Sequence, residues 1–196
     1  LKTYAGQADI LQITSSGCKP LVGRYETGVP HCAALMGEAF GKVLPQTRPD
    51  TIILAARWND YDMGALSQTL ARLKPLARRV VLVGPAPQYE TALPRLLLRA
   101  DQTHDAGLPG RHMAPGLRAL DARARSIAAG QGVAYVSLME TLCPASGCET
   151  FAAPGVPLQF DYGHFTVEGS RLAVPPVARA AGLADGLADA PNRLDR

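Results

Sequence analysis

No stretch of this chain approaches the roughly 18–20 consecutive apolar residues that span a bilayer, and no secretory leader is visible at its start. The chain opens on Leu1-Lys2-Thr3-Tyr4, which reads as a cut edge. Runs of like charge are missing too. The net charge is only +3 and the arginines are scattered, so composition offers no warrant for nucleic acid. Internal repeats and low-complexity segments are absent. The four cysteines lack the tight Cys-x-x-Cys or Cys/His knuckles of a zinc site, and no metal is expected. None of Ser15, Ser16, Ser67, Ser126, Ser137, Ser146 and Ser170 stands in a Gly-x-Ser-x-Gly elbow.

What remains is an ordinary globular composition, 47% hydrophobic and 19% charged over 196 residues, enough for one domain with a substantial core. That domain is expected over residues 1–184. Beyond about Leu183 the chain turns small and polar, so 185–196 reads as a frayed tail. The cysteines fall into two local pairs, Cys18 with Cys32 and Cys143 with Cys148. Four cysteines permit three connectivities, of which local pairing is the simplest. Cys143-Pro144-Ala145-Ser146-Gly147-Cys148 is a short loop that a disulfide could close. Two disulfides imply an oxidising compartment; four buried thiols in a cytosolic protein are the alternative.

Hydrophobic patterning alternates between short apolar runs and helical stripes. Asp9–Thr14, Thr51–Ala56, Arg79–Val83 and Val133–Leu138 read as strands. Cys32, Leu35, Met36, Ala39 or Phe40, and Val43 recur at helical spacing, as do Met63, Leu66, Leu70, Leu73 and Leu76, and then Met113, Leu117, Leu120, Ala124 and Ile127. Leu93 to Ala100 predicts a short helix. A closing helix should start near Thr166 and be disturbed by Pro175-Pro176. Strands that are apolar on both faces and alternate with helices predict an α/β fold: a three-layer α/β/α sandwich around a parallel sheet.

In such sheets the working residues gather at the carboxyl ends of the strands. That rule selects Ser16-Gly17, then Arg57-Trp58-Asn59-Asp60, then Pro85-Ala86-Pro87. Asp161 and His164 stand three residues apart on a late loop containing Gly163. There the carboxylate could fix the imidazole tautomer and leave the other ring nitrogen free to take a proton from a hydroxyl. An isolated Asp-x-x-His is more often a capped turn beside an ordinary histidine. Its neighbours must decide.

Those neighbours carry a resemblance. Ser15-Ser16-Gly17-Cys18-Lys19-Pro20-Leu21, Ile53-Leu54-Ala55-Ala56-Arg57-Trp58, Val81-Leu82-Val83-Gly84-Pro85-Ala86-Pro87, Leu142-Cys143-Pro144 with Cys148, and Asp161-Tyr162-Gly163-His164-Phe165-Thr166 followed by Gly169 resemble the SGNH (GDSL-like) hydrolase family over nearly the whole chain. They look most like the SGNH domains fused to integral-membrane acyltransferases of the acyltransferase-three family in bacterial envelopes. The resemblance implies a flavodoxin-like sheet and an O-acyl, usually O-acetyl, transfer onto an envelope glycan such as lipopolysaccharide O-antigen or exopolysaccharide. It implies Asp161 and His164 as catalytic residues and Gly17 and Asn59 as oxyanion-hole donors, with Arg57 and Trp58 as substrate contacts. It implies no metal or organic cofactor. The acyl group, with acetyl-CoA as a candidate source, would come through an N-terminal integral-membrane domain of the same protein. The domain would then work at the periplasmic face of the inner membrane.

One block departs from the pattern. The family's nucleophilic Ser stands in Gly-Asp-Ser at the end of the first strand, and this chain has none. The expectation is that the natural protein continues upstream, that Leu1 to Gly6 is the tail of the helix after the missing Ser, and that the first strand is absent here. Ser16, beside Gly17, is the alternative nucleophile within the chain. The segments at Ile10–Ile13 and Ile52–Ala55 should then lie about 9–10 Å apart, two strand spacings, instead of pairing at about 4.8 Å. An esterase acting on acylated glycans and a catalytically dead glycan-binding module are the rival readings.

Overall fold

The structure is a computed structural model that describes residues 4, 6, 8–23 and 31–183. Three parallel strands form the sheet, β1 (Thr51–Leu54), β2 (Arg79–Val83) and β3 (Ala134–Val136), in the order β1-β2-β3. Ile52 pairs with Val80 and Leu82 with Tyr135. Between β1 and β2 runs a helix at Met63–Leu73, followed by a tight turn Lys74–Leu76. Counting helices along the chain, α1 is His31–Glu38, α2 Leu44–Thr47, α3 Met63–Leu73, α4 Leu93–Gln102, α5 Leu108–Arg111, α6 Leu117–Gly130, α7 Leu138–Leu142 and α8 Val167–Ala180. A small antiparallel hairpin, β4 (Phe151–Ala153) with β5 (Val156–Pro157), precedes α8.

Strand alternation sorts the side chains into two cores. Ile52, Leu54, Val80 and Leu82 pack with Met36, Leu66, Leu70, Leu120 and Ala124, from α1, α3 and α6. Val81, Val83 and Val136 point the other way, onto Leu93 and Leu96 of α4 and Ala173 and Val177 of α8. The sheet is therefore covered by helices on both faces, as the apolar strand pattern requires. Leu66, Leu70 and Leu73 are fully buried, so the stripe read at 63–76 is core.

Four readings need correction. Asp9–Thr14 forms no strand. An extended segment becomes a strand only when its backbone finds a ladder partner, and neither β1 nor any other described strand supplies one. Ile10 and Leu11 are left exposed. The Ile10–Ile13 and Ile52–Ala55 segments do not pair with each other. Second, the closing helix continues through Pro175 and Pro176 without ending there. Each proline removes a donor at a penalty of about 3 kcal/mol, and burial of Ala173, Val177 and Ala178 against the sheet offsets it. Third, Met113 lies before the helix it was assigned to, in an isolated bridge with Tyr89. Fourth, the helix after Cys32 is not uniform: Ala39–Val43 widens into a π-helical segment before α2. The 185–196 tail lies outside the described residues, as do residues 1–3 and 5 of the expected upstream helix. Among the described residues no helix is long and apolar enough to cross a membrane.

Both local cysteine pairs are bonded. Cys18–Cys32 ties the loop after Thr14 to the start of α1, with Cα atoms 5.2 Å apart, and Cys143–Cys148 closes the Pro/Gly loop after α7. Thiol titration of the denatured, unreduced protein should therefore find no free thiol. Reduction should lower stability by about 3 kcal/mol through the Cys18–Cys32 loop, read from denaturant melts.

Candidate active site

The Asp161–His164 loop is a narrow hairpin whose geometry starts from a buried amide. Gln159 is fully buried and pairs across the hairpin with Phe165 in an antiparallel bridge. Its Nε2 donates to the Pro87 carbonyl at 2.7 Å and to the Gly163 carbonyl at 3.2 Å. The turn after β2 grips the same hairpin through its backbone. The Tyr89 N–H donates to the Tyr162 carbonyl at 2.8 Å and the Leu93 N–H to the Asp161 carbonyl at 3.0 Å. The Pro85-Ala86-Pro87 strand end thus converges on the dyad, as its position at a carboxyl terminus implied.

Within the hairpin, Asp161 serves both the backbone and the ring. Oδ1 accepts from the Gly163 N–H at 2.9 Å and the His164 N–H at 2.7 Å, while Oδ2 meets His164 Nδ1 at 2.7 Å. Partial burial pushes the Asp161 carboxyl up. The His164 and Gly163 amides and the His164 ring outweigh this and hold it below the ordinary carboxylate value. With Nδ1 held by the carboxylate, Nε2 is the free nitrogen. The His164 side chain is 65% exposed, and no described serine is bonded to it. Phe160 lies nearly parallel to the imidazole at 5.8 Å, and Tyr162 meets it edge-on at 5.9 Å.

Helix α8 fixes the other end of the hairpin. Thr166 is its N-cap, accepting from the Gly169 N–H at 3.0 Å, and its N–H and hydroxyl both reach the Leu158 carbonyl. A Cβ at Gly169 would stand 2.1 Å from that same carbonyl oxygen. Only glycine lets the first turn of α8 press on the strand leading into the site.

The remaining candidates are placed less uniformly. Gly17 adopts φ 75° in a turn closed by the Cys18 N–H on the Ser15 carbonyl, a conformation that favours glycine. Asn59 is exposed and begins a short turn, its N–H donating to Asp62 Oδ2 at 2.7 Å. The nearly buried Asp62 also takes Lys19 Nζ at 2.8 Å, so one carboxylate ties the Gly17 loop to the Asn59 loop. No hydrogen bond joins Gly17 or Asn59 to Asp161 or His164.

Trp58 corrects the expectation of a substrate contact. It is 2% exposed and donates its indole N–H to the Val83 carbonyl at 2.7 Å, which makes it core. Arg57 instead reaches the dyad's loop: its Nε donates to Gln88 Oε1 at 2.8 Å and its guanidinium lies 4.9 Å above the Tyr162 ring. Sequence reading missed Gln88, Gln159 and Asp62, because polar residues in loops carry no periodic signal. Ser15 Oγ sits 2.8 Å from His31 Nε2, remote in sequence from the dyad, and Ser16 is exposed. His31 also lies close to the sulfurs of Cys18 and Cys32, but their disulfide leaves no thiolate to bind a metal.

The sequence matches, over residues 1–179, a family model described as SGNH domain (fused to AT3 domains). This chain belongs to that SGNH family. No curated protein matches it. Among solved structures, the SGNH chain is similar to the periplasmic domain of the lipopolysaccharide acetyltransferase of Salmonella ser. Paratyphi A, at 20% identity and a TM-score of 0.76, over 91% of this chain and 76% of that one. At that identity the likeness establishes the fold.

Two outcomes follow from the SGNH hairpin's geometry. Gly169→Ala should destabilise the protein by at least about 2 kcal/mol in denaturant melts, because the methyl group meets backbone that cannot rotate away. For Asp161 the charged form is favoured on folding. Its stabilisation is complete above the ordinary carboxyl range near pH 4 and is lost as pH falls through the lowered value. The stability difference between the native protein and Asp161→Asn should then be widest near neutral pH and shrink in acid. A gap that stays constant from pH 7 to 2 would show that the carboxylate's charge does not hold the loop.

Proposed function

We propose that this chain is the extracytoplasmic O-acyltransferase domain of a larger envelope protein, placing acyl groups, with acetyl the best candidate, on hydroxyls of a bacterial polysaccharide. The observation that carries the reading is the Asp161 Oδ2–His164 Nδ1 contact on an exposed hairpin, in a family whose members are fused to AT3 domains. The lipopolysaccharide acetyltransferase domain of the same fold supports the choice of transfer onto a glycan. The two disulfides support an oxidising, periplasmic location.

In this reading the serine nucleophile stands upstream of Leu1, on a strand that pairs with the open edge of β1. The Asp9–Thr14 segment, which has no ladder partner among the described residues, is consistent with such a neighbour. His164 Nε2 takes the proton of that serine as its oxygen attacks the acyl carbonyl, and Asp161 stabilises the imidazolium. The Gly17 N–H and the Asn59 side chain donate to the tetrahedral oxyanion, each such donor being worth about 3–4 kcal/mol. The acyl donor's leaving group departs with the proton. An acceptor sugar hydroxyl then gives its proton to His164 as it attacks the serine ester; the acyl–Oγ bond breaks, the serine oxygen takes that proton back from His164, and the acylated glycan leaves. No step needs a metal or an organic cofactor. The acyl group arrives through a membrane-embedded acyltransferase domain of the same protein, with acetyl-CoA as the candidate ultimate source.

Replacing His164 with Ala in the full-length protein should reduce glycan O-acylation by at least about 10²–10⁴-fold while leaving the melting temperature nearly unchanged. Acylation retained at the native level would remove His164 from the mechanism.

A further inference from the structure

The structure presents a prepared cation beside the dyad that the acyl-transfer chemistry does not use. Trp58 is locked inward by its bond to Val83, and the adjoining Arg57 is turned outward, towards the Asp161–His164 hairpin. Gln88, only 8% exposed, takes the Arg57 Nε–H at 2.8 Å and so sets the plane of the guanidinium. Tyr162 supports its face at 4.9 Å, within cation–π range, and its hydroxyl lies 3.5 Å from one terminal nitrogen. Among the described residues no carboxylate pairs with Arg57. The two terminal nitrogens, the fork that binds carboxylate or phosphate in bidentate fashion, are thus held in place and left without an anion.

The surroundings supply the rest of a saccharide subsite. The Tyr162 ring that carries the guanidinium is the one that meets His164 edge-on, so the charge stands one ring away from the imidazole. On the imidazole's other contact Phe160 is 61% exposed, an aromatic face at the height of the base. Aromatic rings offer the flat apolar surface that a sugar's C–H face covers, and the fork adds a site for a charged substituent.

We propose that Arg57, buttressed by Gln88 and Tyr162, is a specificity-determining residue that binds an oxyanion substituent, carboxylate or phosphate, on the acceptor glycan. The acceptor would then be an acidic polysaccharide. This rests on the acyl-transfer reading for its biological meaning, but the binding it asserts is independent of catalysis.

The test is a titration of the chain, followed by NMR shifts of the Trp58 indole and the backbone amides around 57, 88 and 162. The probes are trigalacturonate against its methyl ester, and maltotriose 6-phosphate against maltotriose. In at least one pair the charged member should bind about tenfold or more tightly, as one charge-assisted bidentate contact allows, and the pair that discriminates identifies the substituent. Arg57→Gln should erase the preference, and Arg57→Lys, which keeps the charge but not the fork, should retain only part of it. Equal binding within both pairs overturns the assignment, as does a preference that survives Arg57→Gln or the absence of measurable binding by every probe. Any of these would leave the His164 acylation test standing. Conversely, acylation indifferent to His164 would sink the transfer reading without touching the Arg57 preference.

Discussion

The amide of Gln159 holds the dyad's hairpin from beneath, and most of the site's geometry descends from it. A buried amide is stabilising only when its donors and acceptors are used. Here Nε2 is bonded twice, to the turn after β2 and to the hairpin's own far side, whereas Oε1 has no hydrogen-bond partner among the described residues. Because one donor group bridges two chain segments, the Pro87 turn and the Gly163 carbonyl cannot move apart independently. The Tyr89 and Leu93 amides repeat the constraint from the backbone. Asp161 is therefore presented at a fixed height above the sheet before any substrate arrives.

That constraint explains how a solvent-facing histidine can be an oriented one. An exposed ring on a surface loop ordinarily samples several rotamers. At His164 the ring shares its carboxylate partner with its own backbone amide, so side chain and main chain are tied to the same group. Phe160 and Tyr162 restrict the remaining rotation. Gly169 secures the other anchor, since the close approach of α8 to the Leu158 carbonyl leaves the entry to the hairpin no slack.

Much of this was legible in the sequence, for identifiable reasons. The α3 stripe and the β1 and β2 runs were readable because burial on a face imposes a period, and the period survives in the letters. The Asp161–His164 contact was readable only because its flanking residues resemble a known family block; the three-residue spacing alone suits a capped turn better. Trp58 was misread: a lone aromatic at a strand end has no period, and only the tertiary position of the Val83 carbonyl turns it inward. Asp9–Thr14 has the composition of a strand but no neighbour to bond with, so local preference had nothing to act on. At Pro175-Pro176 the local rule was sound, and the buried face of α8 overrode it.

The division of the site between strand ends has a consequence for its assembly. The acid and base depend on Gln159, the Pro87 turn and α8, all on the side of the sheet covered by α4 and α8. The two oxyanion candidates belong to loops joined instead by Asp62, which takes Lys19 from one and the Asn59 amide from the other. Asp62 is nearly buried and pairs with Lys19, so removing the lysine would leave a buried carboxylate short of a countercharge. The dyad's hairpin and the two candidate oxyanion loops are therefore braced separately, and the sheet together with the Arg57 contacts to Gln88 and Tyr162 links them.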